Sequence, residues 1–352
     1  MKVSLVAQAA GMAVALLLAR LVWWFLTPIR GTSGSAFALR TFERPGSSVG
    51  DKPTQVYFGS VFDEPSVDLS IVVPAYNEEM RLRPMMTQTM KYLAQRRRTQ
   101  PQFTCEIIIV DDGSRDRTRE LTYDLAHEFL RGESAFVEMR LLALPRNQGK
   151  GFAVQQGMLH ARGRLLLMAD ADGASEISHL ERLESAMREM RGSAESENWQ
   201  LPLVAIGSRA HLQSEAEATR SFLRNLLMKC FHLYLRVFGV AHVQDTQCGF
   251  KLFTRGAAQR IFPSQKLRRW AFDVELLLLA REARIPVREV AIQWQEIDGS
   301  KLSVVDASMT MARDILLTRL LHLLRLWPLV PVKEARVMAS LSLGLDGRPV
   351  AA

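Results

Sequence analysis

The chain has 352 residues, 48% of them hydrophobic and 23% charged, with a formal net charge of +8. That length suits one large α/β domain with appendages, and the composition outside any membrane segment is that of a globular protein. Three cysteines, Cys105, Cys230 and Cys248, are too few and too scattered for a disulfide framework, which fits a reducing compartment. The basic excess points to an acidic partner, and nucleic acid is disfavoured because neither zinc-ligand spacing nor an RNA-binding strand signature occurs.

Taken in chain order, Ser4 to Leu26 is almost wholly apolar, interrupted by Gln8 and by Arg20. A bilayer-spanning helix needs about 20 such residues, and Trp23 and Trp24 fall where an interfacial aromatic belt would lie. A cleaved signal peptide is the rival, but the run is long and no small-x-small site follows it closely. Only Lys2 precedes the run while Arg30, Arg40, Arg44 and Lys52 follow, which predicts a cytosolic location for the remainder. Residues 1–29 are thus expected to be an anchor, and 30–66, rich in Gly, Ser, Pro and charge, a linker or irregular lead-in.

Strands are predicted at 69–73, 105–111, 137–144, 164–169 and 202–207, with helices at 78–98, 116–131, 149–161 and 178–191. This alternation predicts an α/β, Rossmann-like domain over 67–330, with a mostly parallel sheet flanked by helices. Basic amphipathic helices are expected near 219–239 and 313–331, favouring contact with a membrane interface over packing on the core alone. Residues 331–352 read as a tail.

In a parallel sheet, ligands bind beyond the carboxyl ends of the strands. Four motifs fall there. PAYNEE at 74–79 follows the first strand, with Pro74 expected to stop it and Asn77 and Glu78 at a helix entrance. DDGSRDRT at 111–118 follows the second, with Asp111 and Asp112 expected to be exposed by a turn at Gly113. NQGKG at 147–151 opens a helix, so glycine-freed amides and Lys150 are expected to meet an anion. DADG at 170–173 closes an apolar strand with two carboxylates, Asp170 and Asp172. Each motif alone also reads as an ordinary turn. Together, paired carboxylates beside an anion loop make chemical sense if Mg²⁺ or Mn²⁺ bridges the protein to a diphosphate and stabilises its departure.

These motifs, with IGSR, DTQCGFKLF, WAFDVELL and EIDGSKLS, make the chain resemble glycosyltransferase family 2 over about residues 68–325, and within it the members that glucosylate dolichyl phosphate. The resemblance implies a GT-A fold, a divalent metal, and inverting transfer of glucose from UDP-glucose to dolichyl phosphate at the endoplasmic reticulum membrane, for lipid-linked oligosaccharide assembly. It implies that Pro74, Tyr76, Asn77 and Glu78 surround the nucleoside, with Asp111 or Asp112 near the base and Lys150 near the nucleotide. Asp170 and Asp172 would form the metal-binding DxD pair. Arg209, Arg220, Arg224 and Lys301 would hold donor or acceptor phosphates, and Asp245, Gln247, Asp273 and Glu275 would face sugar and acceptor. Asp273 and Glu275 read equally as acidic residues at a helix start. A phosphate acceptor is already ionised, so Asp273 is expected to orient and is not required as a base. A GDP-mannose-using mannosyltransferase and a noncatalytic membrane scaffold on the same fold are the alternatives. QKLRRW at 265–270 places Gln265 one residue too far from Arg269 and Trp270 for the Q-x-x-R-W of processive polymerases.

Overall fold

A computed structural model describes residues 19–20, 22–27, 41–44, 54–57, 59–129, 136–192, 198–210, 243–295 and 304–341. Its strands are β1 (Thr41–Arg44), β2 (Thr54–Tyr57), β3 (Val67–Ala75), β4 (Cys105–Asp111), β5 (Val137–Ala143), β6 (Gly163–Met168), β7 (Val204–Ser208), β8 (Lys251–Thr254) and β9 (Val287–Ala291). The helices are α1 (Leu82–Thr99), α2 (Thr118–Phe129), α3 (Lys150–Leu159), α4 (Leu180–Arg191), α5 (Arg255–Ile261), α6 (Phe272–Glu282), α7 (Val304–Leu323) and α8 (Val332–Leu341).

The strands form one sheet in the order β2-β1-β5-β4-β3-β6-β8-β7-β9. All except β1 and β8 run in the same direction, so the sheet is mostly parallel, as the strand-helix alternation implies. β3 and β4 are near-continuous apolar runs because both their faces are covered. Side chains of alternating parity fall into two cores. Val72, Ile108, Val110 and Met168 pack with α3, α5 and α6, whereas Ile71, Val73, Ile107 and Ile109 pack with α1, α2 and α4.

Three sequence expectations are corrected. Pro74 does not stop β3: it lies within the strand, in register with Val110. Its missing N–H costs nothing, because it faces the β6 side, where pairing has already ended at Val72 and Met168. The lead-in is not all irregular, since β1 and β2 pair antiparallel and β1 continues the sheet through Glu43 opposite Leu141. The tail carries α8, whose Ala335 and Ala339 are buried in the core shared with α5 and α6. β8 and β9, of four and five residues, were missed because strands this short leave little periodicity to read.

Among the described residues no helix is long and apolar enough to cross a membrane. The expected span at 4–26 lies mostly outside them; residues 19, 20 and 22–26 of it are helical. The expected amphipathic helix at 219–239 lies wholly outside the described residues, while α7 covers the first part of 313–331.

Candidate active site

The site begins where β3 and β4 end side by side. Asn77 takes a positive φ of 56°, which Asn tolerates better than most side chains. Its N–H donates to Ser114 Oγ at 2.9 Å, and its Oδ1 accepts from Arg115 N at 2.8 Å. Glu78 N donates to Thr118 Oγ1 at 2.7 Å. Backbone and side chain of Asn77 are thus spent locking PAYNEE to DDGSRDRT. The Glu78 carboxylate is gripped by Arg81 through Nε at 2.7 Å and Nη2 at 2.6 Å. Burial raises the Glu78 pKa, Arg81 opposes, and the nearby Asp172 and Asp170 add to the rise. Tyr76, by contrast, is exposed and free to line a binding face.

Asp111 and Asp112 are buried, not exposed as the turn at Gly113 suggested. Asp111 Oδ1 accepts from Ser114 N at 3.0 Å and closes its own turn. Asp112 accepts from Gln148 N at 2.7 Å and Gly149 N at 2.8 Å. The anion met by the NQGKG amides is therefore the protein's own carboxylate, which corrects the expectation that these amides await a ligand. Burial raises the Asp112 pKa while these two N–H groups pull it down. Gly149 has φ +105°, and a Cβ there would lie 2.5 Å from the Arg268 carbonyl, so only glycine fits. The loop thereby delivers Lys150 to the first position of α3.

Lys150 Nζ lies 2.6 Å from Asp170 Oδ1. β6 ends at Met168, so Asp170 and Asp172 sit on a turn rather than on extended strand. Asp172 Oδ1 accepts from Ala174 N at 3.0 Å. Asp170 packs against Gly249, where a Cβ would lie 2.0 Å from Asp170 Oδ2. The Lys150 pKa is lowered by burial but raised more by Asp170, Asp273 and Asp172, so the ammonium stays charged. Two half-buried carboxylates are hard oxygen donors of the kind Mg²⁺ and Mn²⁺ accept. Among the described residues no group of three His, Cys, Asp or Glu makes a cage, so substrate phosphate and water would complete the coordination.

Behind this turn lies a buried pair of which the sequence singled out only Asp273. Lys251, the first residue of β8, is opposite Met168 and Ile206 and fully buried. Its Nζ donates to Cys248 O at 2.6 Å and pairs with Asp273 at the start of α6. Burial raises the Asp273 pKa, and Lys251 and then Lys150 oppose it. A lysine inside the apolar run GFKLF was the available signal.

Glu275 is not directed at a ligand. It is buried and accepts from Lys266 N at 2.9 Å and Leu267 N at 2.7 Å, holding the loop before α6, and burial pushes its pKa up to about 7. Asp245 is likewise buried. It takes Arg209 through Nε at 2.7 Å and Nη2 at 2.9 Å, and Arg209 holds its pKa down against burial. The Arg209 guanidinium lies 5.2 Å from the Trp294 ring centre. Trp294 is brought there by its bridge to Ser175, just after DADG. Gln247 donates to Met311 Sδ of α7 at 2.9 Å. Arg220, Arg224 and Lys301 lie outside the described residues.

An α/β domain that gathers carboxylates and basic side chains at the carboxyl edge of parallel strands defines a ligand-binding enzyme framework of the doubly wound kind. The chain belongs to glycosyl transferase family 2, whose model matches residues 70–262 and so contains this whole edge up to β8. Among curated proteins it is similar to a dolichyl-phosphate beta-glucosyltransferase of Drosophila melanogaster, 44% identical over 279 residues, 79% of this chain and 82% of the fly protein. The human protein of that name is 42% identical over 276 residues, 78% and 82% of the two chains. That of Saccharomyces cerevisiae is 41% identical over 266 residues, 75% and 78%.

Proposed function

We propose that the chain transfers glucose from UDP-glucose to dolichyl phosphate with inversion, forming dolichyl β-D-glucosyl phosphate for lipid-linked oligosaccharide assembly. One observation carries this reading. Lys150 and the Asp170–Asp172 turn, brought from two separate loops, meet within the stretch matched by the family, and the similar curated proteins are named dolichyl-phosphate beta-glucosyltransferases. The fold is read as GT-A.

Asp170 and Asp172 would hold Mg²⁺ or Mn²⁺, which when bound supplies positive charge to the departing diphosphate. The chain's own groups do the rest. Tyr76 lines the nucleoside face beside a loop made rigid by Asn77, Glu78 and Asp111. Lys150 presents an ammonium to the diphosphate. Arg209 has Nε and Nη2 committed to Asp245, so its Nη1 edge is the part available to a phosphate. The acceptor phosphate is its own nucleophile, and Asp273, neutralised by Lys251, orients rather than abstracts a proton. Catalysis is then mainly the positioning of two anions.

We place the chain at the endoplasmic reticulum membrane through a single span at 4–26, with the catalytic domain in the cytosol. The apolar run and the exposed Val22, Trp23 and Leu26 support the span, and Arg30, Arg40, Arg44 and Lys52 after it support the cytosolic side. Purified full-length protein with UDP-glucose, a polyprenyl phosphate and Mg²⁺ or Mn²⁺ should release UDP and form a glucolipid, detected by mass spectrometry. Absence of turnover with every nucleotide sugar in a donor panel overturns the reading.

A further inference from the structure

The Asp170 carboxylate has two neighbours that leave it little freedom. On one side the Gly249 backbone is so close that an added Cβ would meet Oδ2 at 2.0 Å. On the other, Lys150 Nζ sits 2.6 Å from Oδ1. An ammonium therefore occupies the cation-seeking side of this carboxylate.

The Lys150 backbone cannot follow its side chain elsewhere, because Asp112 pins the two residues before it at 2.7 and 2.8 Å and Gly149 packs on the Arg268 carbonyl. The side chain has other places to go. The Trp270 ring is exposed and its centre lies 6.0 Å from Nζ, within range of a cation–π contact. Asp273 also acts on Lys150 electrostatically, and its pairing with Lys251 keeps it from taking Lys150 outright. Lys150 is thus a long side chain on a fixed base, with one strong partner and two weaker ones.

We propose that Lys150 is an internal competitor of the divalent cation, holding Asp170 while the cation is absent and leaving it for the donor diphosphate when both ligands are bound. This inference rests on the proposed metal-dependent transferase activity and deepens it. Cation and nucleotide must then bind with positive coupling, since the lysine released by one becomes a ligand of the other. Lys150 is a positioning residue for the cation and a contact residue for the diphosphate.

The test is Mn²⁺ binding to the full-length protein, followed by the electron paramagnetic resonance of free Mn²⁺, with and without UDP. Lys150→Met should bind Mn²⁺ alone about tenfold more tightly than the unaltered protein, the size expected for removing one competing ion pair of about 1.4 kcal/mol at a partly buried carboxylate. UDP should improve Mn²⁺ binding in the unaltered protein and improve it far less in Lys150→Met. Lys150→Arg, which keeps the charge, should behave like the unaltered protein. Metal-dependent sugar transfer together with unchanged or weaker Mn²⁺ affinity in Lys150→Met overturns this inference alone. Sugar transfer that survives complete chelation overturns the metal reading and this inference with it.

Discussion

Asp170 illustrates how much a single residue position can demand of its neighbours. Its carboxylate lies where only a glycine at 249 leaves room, so Gly249→Ala must push it off its present line beside Lys150. A displacement of about 1 Å in a positioning group can cost on the order of a hundredfold in rate. Gly249→Ala is therefore expected to lower kcat/KM for sugar transfer by about that factor, with the melting temperature nearly unchanged. Full activity in this variant would show that the Asp170 position is not critical. At this scale the sequence exposed the acidic and basic residues but not their pairing. The separation of Lys150 from Asp170 and of Lys251 from Asp273 is closed by the sheet, and no local pattern reports it.

At the scale of elements, α3 is started by a carboxylate from another loop. Asp112 satisfies the N–H groups of Gln148 and Gly149, and this sets where α3 begins and where Lys150 emerges. Asp112→Asn keeps one acceptor and turns the other into a donor facing a donor. It should destabilise the protein by about 1–3 kcal/mol, the cost of leaving a buried polar group unpaired. A lowered urea midpoint together with reduced nucleotide affinity would bear this out, and an unchanged midpoint would refute it. NQGKG was legible as a helix start, and DDGS as a turn. That they bind one another was not, because Asp112 was expected to face solvent.

For the whole molecule, buried acids make stability depend on pH. Glu275, ordinarily at 4.5, is pushed up to about 7 by burial. Between these values the folded chain keeps a proton that the unfolded chain has lost, so the contribution of Glu275 is fully present below 4.5 and fades as pH rises toward 7. It amounts to at most about 3 kcal/mol. The urea midpoint of the unaltered protein should accordingly fall more steeply between pH 5 and pH 7 than that of Glu275→Gln. Equal slopes would mean that Glu275 is ionised in the fold. The helix-start reading of FDVELL was right about α6. It could not reveal that Glu275 turns inward onto the backbone of residues 266 and 267, a contact made by the chain's path before the helix.

By itself the sequence determined the α/β class, the central parallel strands, and which loops crowd the carboxyl edge. Those follow from local periodicity and from apolar runs too continuous to be exposed on either face. Only the tertiary structure decided which charges are free and which are consumed. Asp112, Asp245 and Glu275 are committed to holding loops and Arg209, whereas Asp170 and Lys150 meet at the open edge. The physical reason is that a buried charge is kept only with a partner, and partners distant in sequence are chosen by the packing of the sheet.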